Sequence, residues 1–218
     1  MVFPIKPSEP ISEFNTAIEI VKPFEIIEPA IQSMERVEKS IVASLPIKLF
    51  VEDESRFGLM TVLRRRITLK GVKPIAQYQH DFDNTWFYGA VAPLTGDSFF
   101  LELPILNTQC FQIFIDQFSQ TFSDTLNIIT LDNGSFHTTP KLVLPANVRF
   151  VFTPPCTPEV NPMERVWLDF KDQIAGEIFA TLDALFDRLA SIIRECLPSQ
   201  LSSLTSYPFF KAVCNAMI

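Results

Sequence analysis

Apolar residues follow two rhythms along the chain, and the rhythm changes at Ile47. Before that point, Ile31, Met34, Val37, Ile41, Val42 and Leu45 recur at helical spacing, which predicts one amphipathic helix after Pro29. Pro4, Pro7, Pro10, Pro23, Pro29 and Pro46 all fall within residues 1–46, so the first part of this segment is expected to be irregular or extended. From Ile47 the apolar positions gather into short runs. Ile47–Asp53 reads as a buried strand. Thr85–Ala92 and Ser98–Leu103 flank Pro93-Leu94-Thr95-Gly96-Asp97, the pattern of an antiparallel hairpin. Asn107 or Thr108 can cap a helix through about Phe122, with Phe111, Ile115 and Phe118 on its buried face. Leu126–Asp132 and Val148–Thr153 read as further strands. One helix is predicted from Pro162 to about Ile178 and another from about Thr181 to Cys196, with Pro198 marking its end and short helical pieces in 200–218. The connector 56–74 has room for a short strand around Met60–Leu63. Strand, hairpin, helix, strand, strand and helices in that order predict an α/β protein with a mixed sheet and helices packed on it.

Size and composition narrow the picture. A chain of 218 residues, 47% hydrophobic, can bury a full core. The division expected is an acidic, proline-rich segment 1–46 and a main domain 47–218. No apolar run reaches the roughly 18 residues of a membrane span, and the N-terminus lacks a secretory layout. Cys110, Cys156, Cys196 and Cys214 are widely spaced without a C-x-x-C pair, so they read as buried thiols in a reducing compartment. The net charge is −7, which is unpromising for a nucleic-acid binder until its distribution is considered. Residues 1–46 carry four basic and seven acidic side chains, 4 − 7 = −3, whereas 56–73 hold Arg56, Arg64, Arg65, Arg66, Lys70 and Lys73 with no acid. That run is either a solvated connector or a set of phosphate contacts, which would give salt-dependent, sequence-independent DNA affinity.

Three acids stand where rigid elements are expected to end: Asp53, Asp132 and Glu164. Each has a purely structural reading beside a chemical one. Asn161, Pro162 and Glu164 make a capping box at a helix start. Asp132-Asn133-Gly134 is turn chemistry, yet the apolar run before it suits a central strand, beyond whose carboxyl end ligands sit in open α/β sheets. Asp53 lies between Glu52 and Glu54, and strand alternation sends it to the opposite face from both. The spacing does not choose between Asp53 and its neighbours. His137 follows Asp132 by five residues and is read as a supporting, hydrogen-bonding group. Phosphate-loop, serine-hydrolase and zincin motifs are absent.

Taken together, Val51-Glu52-Asp53-Glu54-Ser55-Arg56-Phe57-Gly58, Leu131-Asp132-Asn133-Gly134-Ser135-Phe136-His137, and Pro154-Pro155-Cys156-Thr157-Pro158-Glu159-Val160-Asn161-Pro162-Met163-Glu164-Arg165-Val166-Trp167 resemble the DDE transposases, most of all bacterial insertion-sequence members related to the mariner group. The resemblance runs from about Ile47 to the C-terminus. It implies a ribonuclease-H-like fold, which the order of elements also fits. It implies that Asp53, Asp132 and Glu164 are the catalytic, metal-holding carboxylates, and so selects Asp53 over Glu52 and Glu54. Asn133, His137 and Asn161 are candidate supporting residues. The resemblance further implies two magnesium or manganese ions, DNA as substrate, a homodimer in a transposition complex, and a bacterial cytoplasm with the protein on the nucleoid when bound to DNA.

Three acids suit that chemistry because hard divalent ions take oxygen ligands and keep several waters, so few carboxylates are needed. The segment 1–46 departs from the family pattern, in which helix-turn-helix units find the element's ends: it is short, acidic and rich in proline. A separate recognition chain, or a core shortened by truncation, is the expectation there. The alternatives are an inactive remnant that only binds DNA or protein, and a ribonuclease-H-like nuclease.

Overall fold

Strand β1, Ile47–Gly58, alternates its side chains between two cores. Leu49, Val51 and Phe57 enter one core, and Phe50 enters the other. In the computed structural model, which describes residues 45–65, 68–73, 75–153 and 161–207, the remaining strands are β2 (Asn84–Val91), β3 (Ser98–Leu103), β4 (Leu126–Leu131) and β5 (Val148–Phe152). They form one sheet in the order β3-β2-β1-β4-β5. β1 pairs antiparallel with β2 and parallel with β4, so the sheet is mixed, as predicted.

Helix α1, Thr108–Thr121, covers one face. Asn107 caps it by accepting from the Cys110 amide at 2.8 Å. Its Phe111, Phe114, Ile115 and Phe118 pack on Phe50, Ile129, Leu131 and Val148 of the sheet. Helices α2 (Met163–Gln173), α3 (Leu182–Glu195) and α4 (Pro198–Thr205) follow. Their residues Met163, Val166, Trp167, Phe170, Leu185, Leu189 and Leu201 close the other face over Leu49, Val51, Ile128 and Val151. Two apolar faces on one sheet explain why β4, Leu-Asn-Ile-Ile-Thr-Leu, is apolar nearly throughout.

Several boundaries differ from those predicted. β1 does not stop at Asp53. It runs on to Gly58 because its second half pairs with β2, from Asp53 opposite Gly89 to Gly58 opposite Asn84. No strand forms at Met60–Leu63; there the chain is held by isolated bonds, Leu59 N–H to the Asp83 carbonyl and Thr61 N–H to the Gln79 carbonyl. The helix predicted to reach Ile178 ends at Gln173, since Gly176 turns the chain at φ 83° and its amide bonds the Val62 carbonyl. Pro198 opens α4 rather than merely ending α3, a position where its missing N–H costs nothing. Cys110 is a buried free thiol, and Cys196 is free but half-exposed rather than buried. The helix expected after Pro29, all of the segment 1–46 but its last two residues, the loop 154–160 with Cys156, and Cys214 lie outside the described residues. No helix among the described residues is long and apolar enough to cross a membrane.

Candidate functional site

Two parallel strands part where the acids stand. The β1–β4 ladder pairs Val51 with Thr130. Two residues further on are Asp53 and Asp132 (51 + 2 and 130 + 2); Asp53, still within β1, shares the face of Val51 because alternate residues of a strand share a face. Asp132 is the first residue beyond β4. Across this face lies α2, with Glu164 in its first turn.

Asp53 is held firmly. The Trp167 indole N–H donates to its Oδ2 at 3.0 Å. That ring fits because the strand residue opposite Asp53 is Gly89, where a Cβ would lie 2.6 Å from the indole. Burial, then the charges of Glu54 and Glu164, push the Asp53 carboxyl up to about 8, against the Trp167 hydrogen bond, which lowers it. The charge of Glu164 thus acts on Asp53 across the gap between β1 and α2. Asn161 ties the same two elements: its Oδ1 accepts from the Met163 amide, and its Nδ2 donates to the Glu52 carbonyl, both at 3.0 Å. The predicted capping box is not formed: the N-cap is Pro162, which has no side-chain cap bond, Asn161 takes the Met163 amide rather than that of Glu164, and the Glu164 carboxylate is exposed with no hydrogen-bond partner among the described residues. The carboxylate is free for other work.

Asp132 is turned away from Asp53. Its Oδ1 accepts from the Gly134 amide at 2.8 Å and faces His137 Nδ1 at 3.0 Å. His137 Nε2 in turn lies 3.0 Å from Glu54 Oε1 and 4.0 Å from Glu52 Oε2. Burial pulls the His137 imidazole down, but the hydrogen bond and charge of Glu54 with the charge of Asp132 outweigh it, and the net shift is upward. Asn133 braces the strand ends, donating from Nδ2 to the Thr153 carbonyl at 2.6 Å. Among the described residues, the acid and histidine donor atoms that all lie within 4.8 Å of one another belong to Glu52, Glu54 and His137, and not to Asp53, Asp132 and Glu164.

The donor set of Asp53, Asp132 and Glu164 nonetheless suits hard divalent ions. It is all oxygen, and the Asp53 pKa is raised first by burial and then by the charges of Glu54 and Glu164, a repulsion that a cation would relieve.

Of the basic residues, Arg56, Arg65, Lys70 and Lys73 are exposed. Arg64 is exposed as well but paired through Nε with Asp172 on α2. Arg66 lies outside the described residues. Two further residues belong to this face. Lys171 donates to the Ser55 hydroxyl at 2.7 Å and sits over the Phe57 ring. Burial lowers its pKa, although Glu164 and Asp53 raise it. Trp167 and Lys171 follow Glu164 by three and seven residues, so helical periodicity alone puts them on its side of α2.

A mixed five-stranded sheet of this order, with helices on both faces and carboxylates where two parallel strands part, is a ribonuclease-H-like core. Residues 48–186 match the family model described as DDE superfamily endonuclease, and the chain belongs to that family. Its fold is that of a DDE transposase catalytic domain. Among curated proteins it is similar to "Uncharacterized protein y4pE/y4sA" of Sinorhizobium fredii (strain NBRC 101917 / NGR234), 34% identical over 100 residues, 45% of this chain and 74% of that protein. Among solved structures it is similar to the Mos1 transposase paired-end complex with left transposon end, with TM-score 0.61 and 12% identity, covering 94% of this chain and 62% of that one. The Mos1 mariner paired-end complex with Mn matches with TM-score 0.58 and 12% identity, covering 100% of this chain and 64% of that one. The chain thus spans just under two thirds of the length of each of these structural relatives, and at this identity the likeness is one of fold.

Proposed function

We propose that this chain is the catalytic core of a transposase that cuts DNA and joins its strands, with Asp53, Asp132 and Glu164 as the metal-holding carboxylates. The observation that carries the reading is the β1–β4 register, which brings Asp53 and Asp132 to neighbouring positions where the two strands part, while Trp167 of α2 grips Asp53. The ions, magnesium or manganese and two in number, would activate the attacking water or 3′-hydroxyl and stabilise the leaving oxygen of the phosphodiester. Trp167 and Gly89 fix the Asp53 rotamer. Asn161 sets the distance between β1 and the first turn of α2. Asp132 exchanges its contact with His137 for one toward Asp53 when the site closes on DNA. Lys171, half-buried beside Glu164 and Asp53, offers a cation to a phosphate oxygen, and Arg56, Arg65, Arg66, Lys70 and Lys73 extend the contact along the backbone. Arg64 joins them after release from Asp172. The working form on DNA is a homodimer, with recognition of specific ends supplied outside the 48–186 core.

One observation favours a second reading, a core that binds DNA without cutting it: the three carboxylates do not lie within a common 4.8 Å in this structure. Metal-dependent cleavage of a plasmid separates the two. The parent is expected to nick or cut with manganese, and Asp53→Asn, Asp132→Asn and Glu164→Gln, each confirmed folded by circular dichroism, to lose at least about a hundredfold of that rate, the scale set by losing one charge-stabilising group. Cleavage by any of the three at the parent's rate contradicts the assignment.

A further inference from the structure

Glu52 and Glu54 point from β1 to the α1 side of the sheet, the face opposite Asp53. Glu52 is 1% exposed, and neither of its carboxylate oxygens has a hydrogen-bond donor. Its cross-strand neighbour is Ala90, which offers no polar group. Tyr88, the cross-strand neighbour of Glu54, gives its hydroxyl proton to the Ile105 carbonyl at 2.9 Å. His137 Nε2 reaches Glu54 Oε1 at 3.0 Å but stops 4.0 Å from Glu52 Oε2. Even a fully charged imidazolium would therefore spend its two N–H groups on Glu54 and Asp132 and leave Glu52 without a donor.

A buried carboxylate with no donor, aimed at a second carboxylate and a ring nitrogen, lacks a cation. We infer that Glu52, Glu54 and His137 form a separate binding site for a borderline transition cation, zinc(II) being the best match, on the face of β1 away from the Asp53 carboxylate.

The donor set supports that choice of ion. One imidazole nitrogen with two carboxylate oxygens suits zinc, which binds such donors at roughly 2.0–2.2 Å, better than magnesium, which takes oxygen and water in an octahedron. Donors on one such ion stand about 3.4 Å apart in a tetrahedron. The spacings of 3.0 and 4.0 Å bracket that value, so small rotations of Glu52 and Glu54 suffice. The outer contact also fits. With Nε2 on the metal, the remaining proton sits on Nδ1 and is donated to Asp132 Oδ1 at 3.0 Å, the carboxylate–histidine–metal arrangement that fixes a ligand ring. Gly134 packs against this pair, since a Cβ there would lie 3.0 Å from Asp132 Oδ1 and 3.1 Å from His137 Nδ1.

The inference does not rest on the proposed strand-transfer centre, and its test removes two of that centre's three carboxylates while keeping Asp132, which braces His137. The full-length Asp53→Asn/Glu164→Gln variant is refolded with cobalt(II), which reports nitrogen and oxygen ligation by its visible absorption, and the same preparation is titrated with zinc(II) to displace it. The result expected is a single equivalent of cobalt in that variant, displaced by zinc, and loss of the band when Glu52→Gln or Glu54→Gln is added, with the fold intact by circular dichroism. The second readout is melting temperature: zinc should raise it in the double variant and leave it unmoved once Glu52→Gln is present. Absence of a cobalt band in the double variant overturns the inference. So does a Glu52→Gln protein that still binds cobalt. A Glu52→Gln variant that melts higher than its parent, in a protein that takes up no metal, overturns it in favour of a proton shared between Glu52 and Glu54.

Discussion

The Asp53 carboxylate is positioned from two strands and a helix at once, and burial there, then the charges of Glu54 and Glu164, raise its proton affinity. Its pKa rises from an ordinary 3.8 to about 8. Between these values the folded protein keeps a proton that the unfolded chain has released, so stability falls as pH rises from about 4 to about 8. Glu52, raised by burial and then by the charges of Glu54, Asp53 and Asp132, acts in the same direction. The metal-free protein should therefore melt at progressively lower temperature from pH 5 to pH 8, and Asp53→Asn should flatten part of that decline. A variant whose melting temperature falls as steeply as the parent's would contradict this account of Asp53. A divalent ion competes with the same proton, so cation affinity at this centre should rise over the same pH range. Gly89 tests the other side of the arrangement. In Gly89→Ala the new methyl carbon would sit 2.6 Å from the Trp167 ring and 2.9 Å from Met163 Cε. The expected cost in urea unfolding is about 1–3 kcal/mol, typical of an overfilled core, with a loss of cleavage beyond that of an equally destabilised variant elsewhere. Unchanged stability would show that Trp167 does not need the space.

At the scale of elements, the start of α2 is anchored through one side chain. Asn161→Ala removes both the acceptor for the Met163 amide and the donor to the Glu52 carbonyl. A loss of about 1–2 kcal/mol is expected for two hydrogen bonds, and amide exchange should quicken in the first turn of α2 while the far end of the helix is unaffected. Uniform exchange along α2 would contradict a local anchor. Much of this layer was legible in the sequence. The apolar runs of β4 and β5, the hairpin, and the cap at Asn107 stand within a residue or two of their predicted places. The full length of β1 is not legible because Glu52, Asp53, Glu54 and Arg56 break its apolar run, and only pairing with β2 keeps these residues extended. The same pairing fixes which face Asp53 takes, so spacing in the sequence left the choice among residues 52–54 open until the family motif decided it. The contacts of His137 were not legible at all: Glu54 lies 83 positions away in the chain, and nothing local encodes a fold that brings them to 3.0 Å.

At the scale of the whole molecule, the chain is acidic overall, yet the connector between β1 and β2 carries the exposed Arg64, Arg65, Lys70 and Lys73 with no acid among residues 59–73. Such a surface predicts DNA binding that is weak in sequence preference and steep in salt. Replacing Lys70 and Lys73 together by alanine should lower the slope of log affinity against log salt by about 2, equally for unrelated duplexes. An unchanged slope would place the DNA elsewhere.

The central claim is that Asp53, Asp132 and Glu164 hold metal together once DNA is bound. It is tested most directly by a crystal structure of the protein with a short DNA duplex and manganese, using the anomalous signal of the ion. Manganese is expected between Asp53, Asp132 and Glu164, with the Asp132 carboxylate turned from His137 toward Asp53. Manganese absent from that gap, with Asp132 still on His137 and DNA in place, would contradict it.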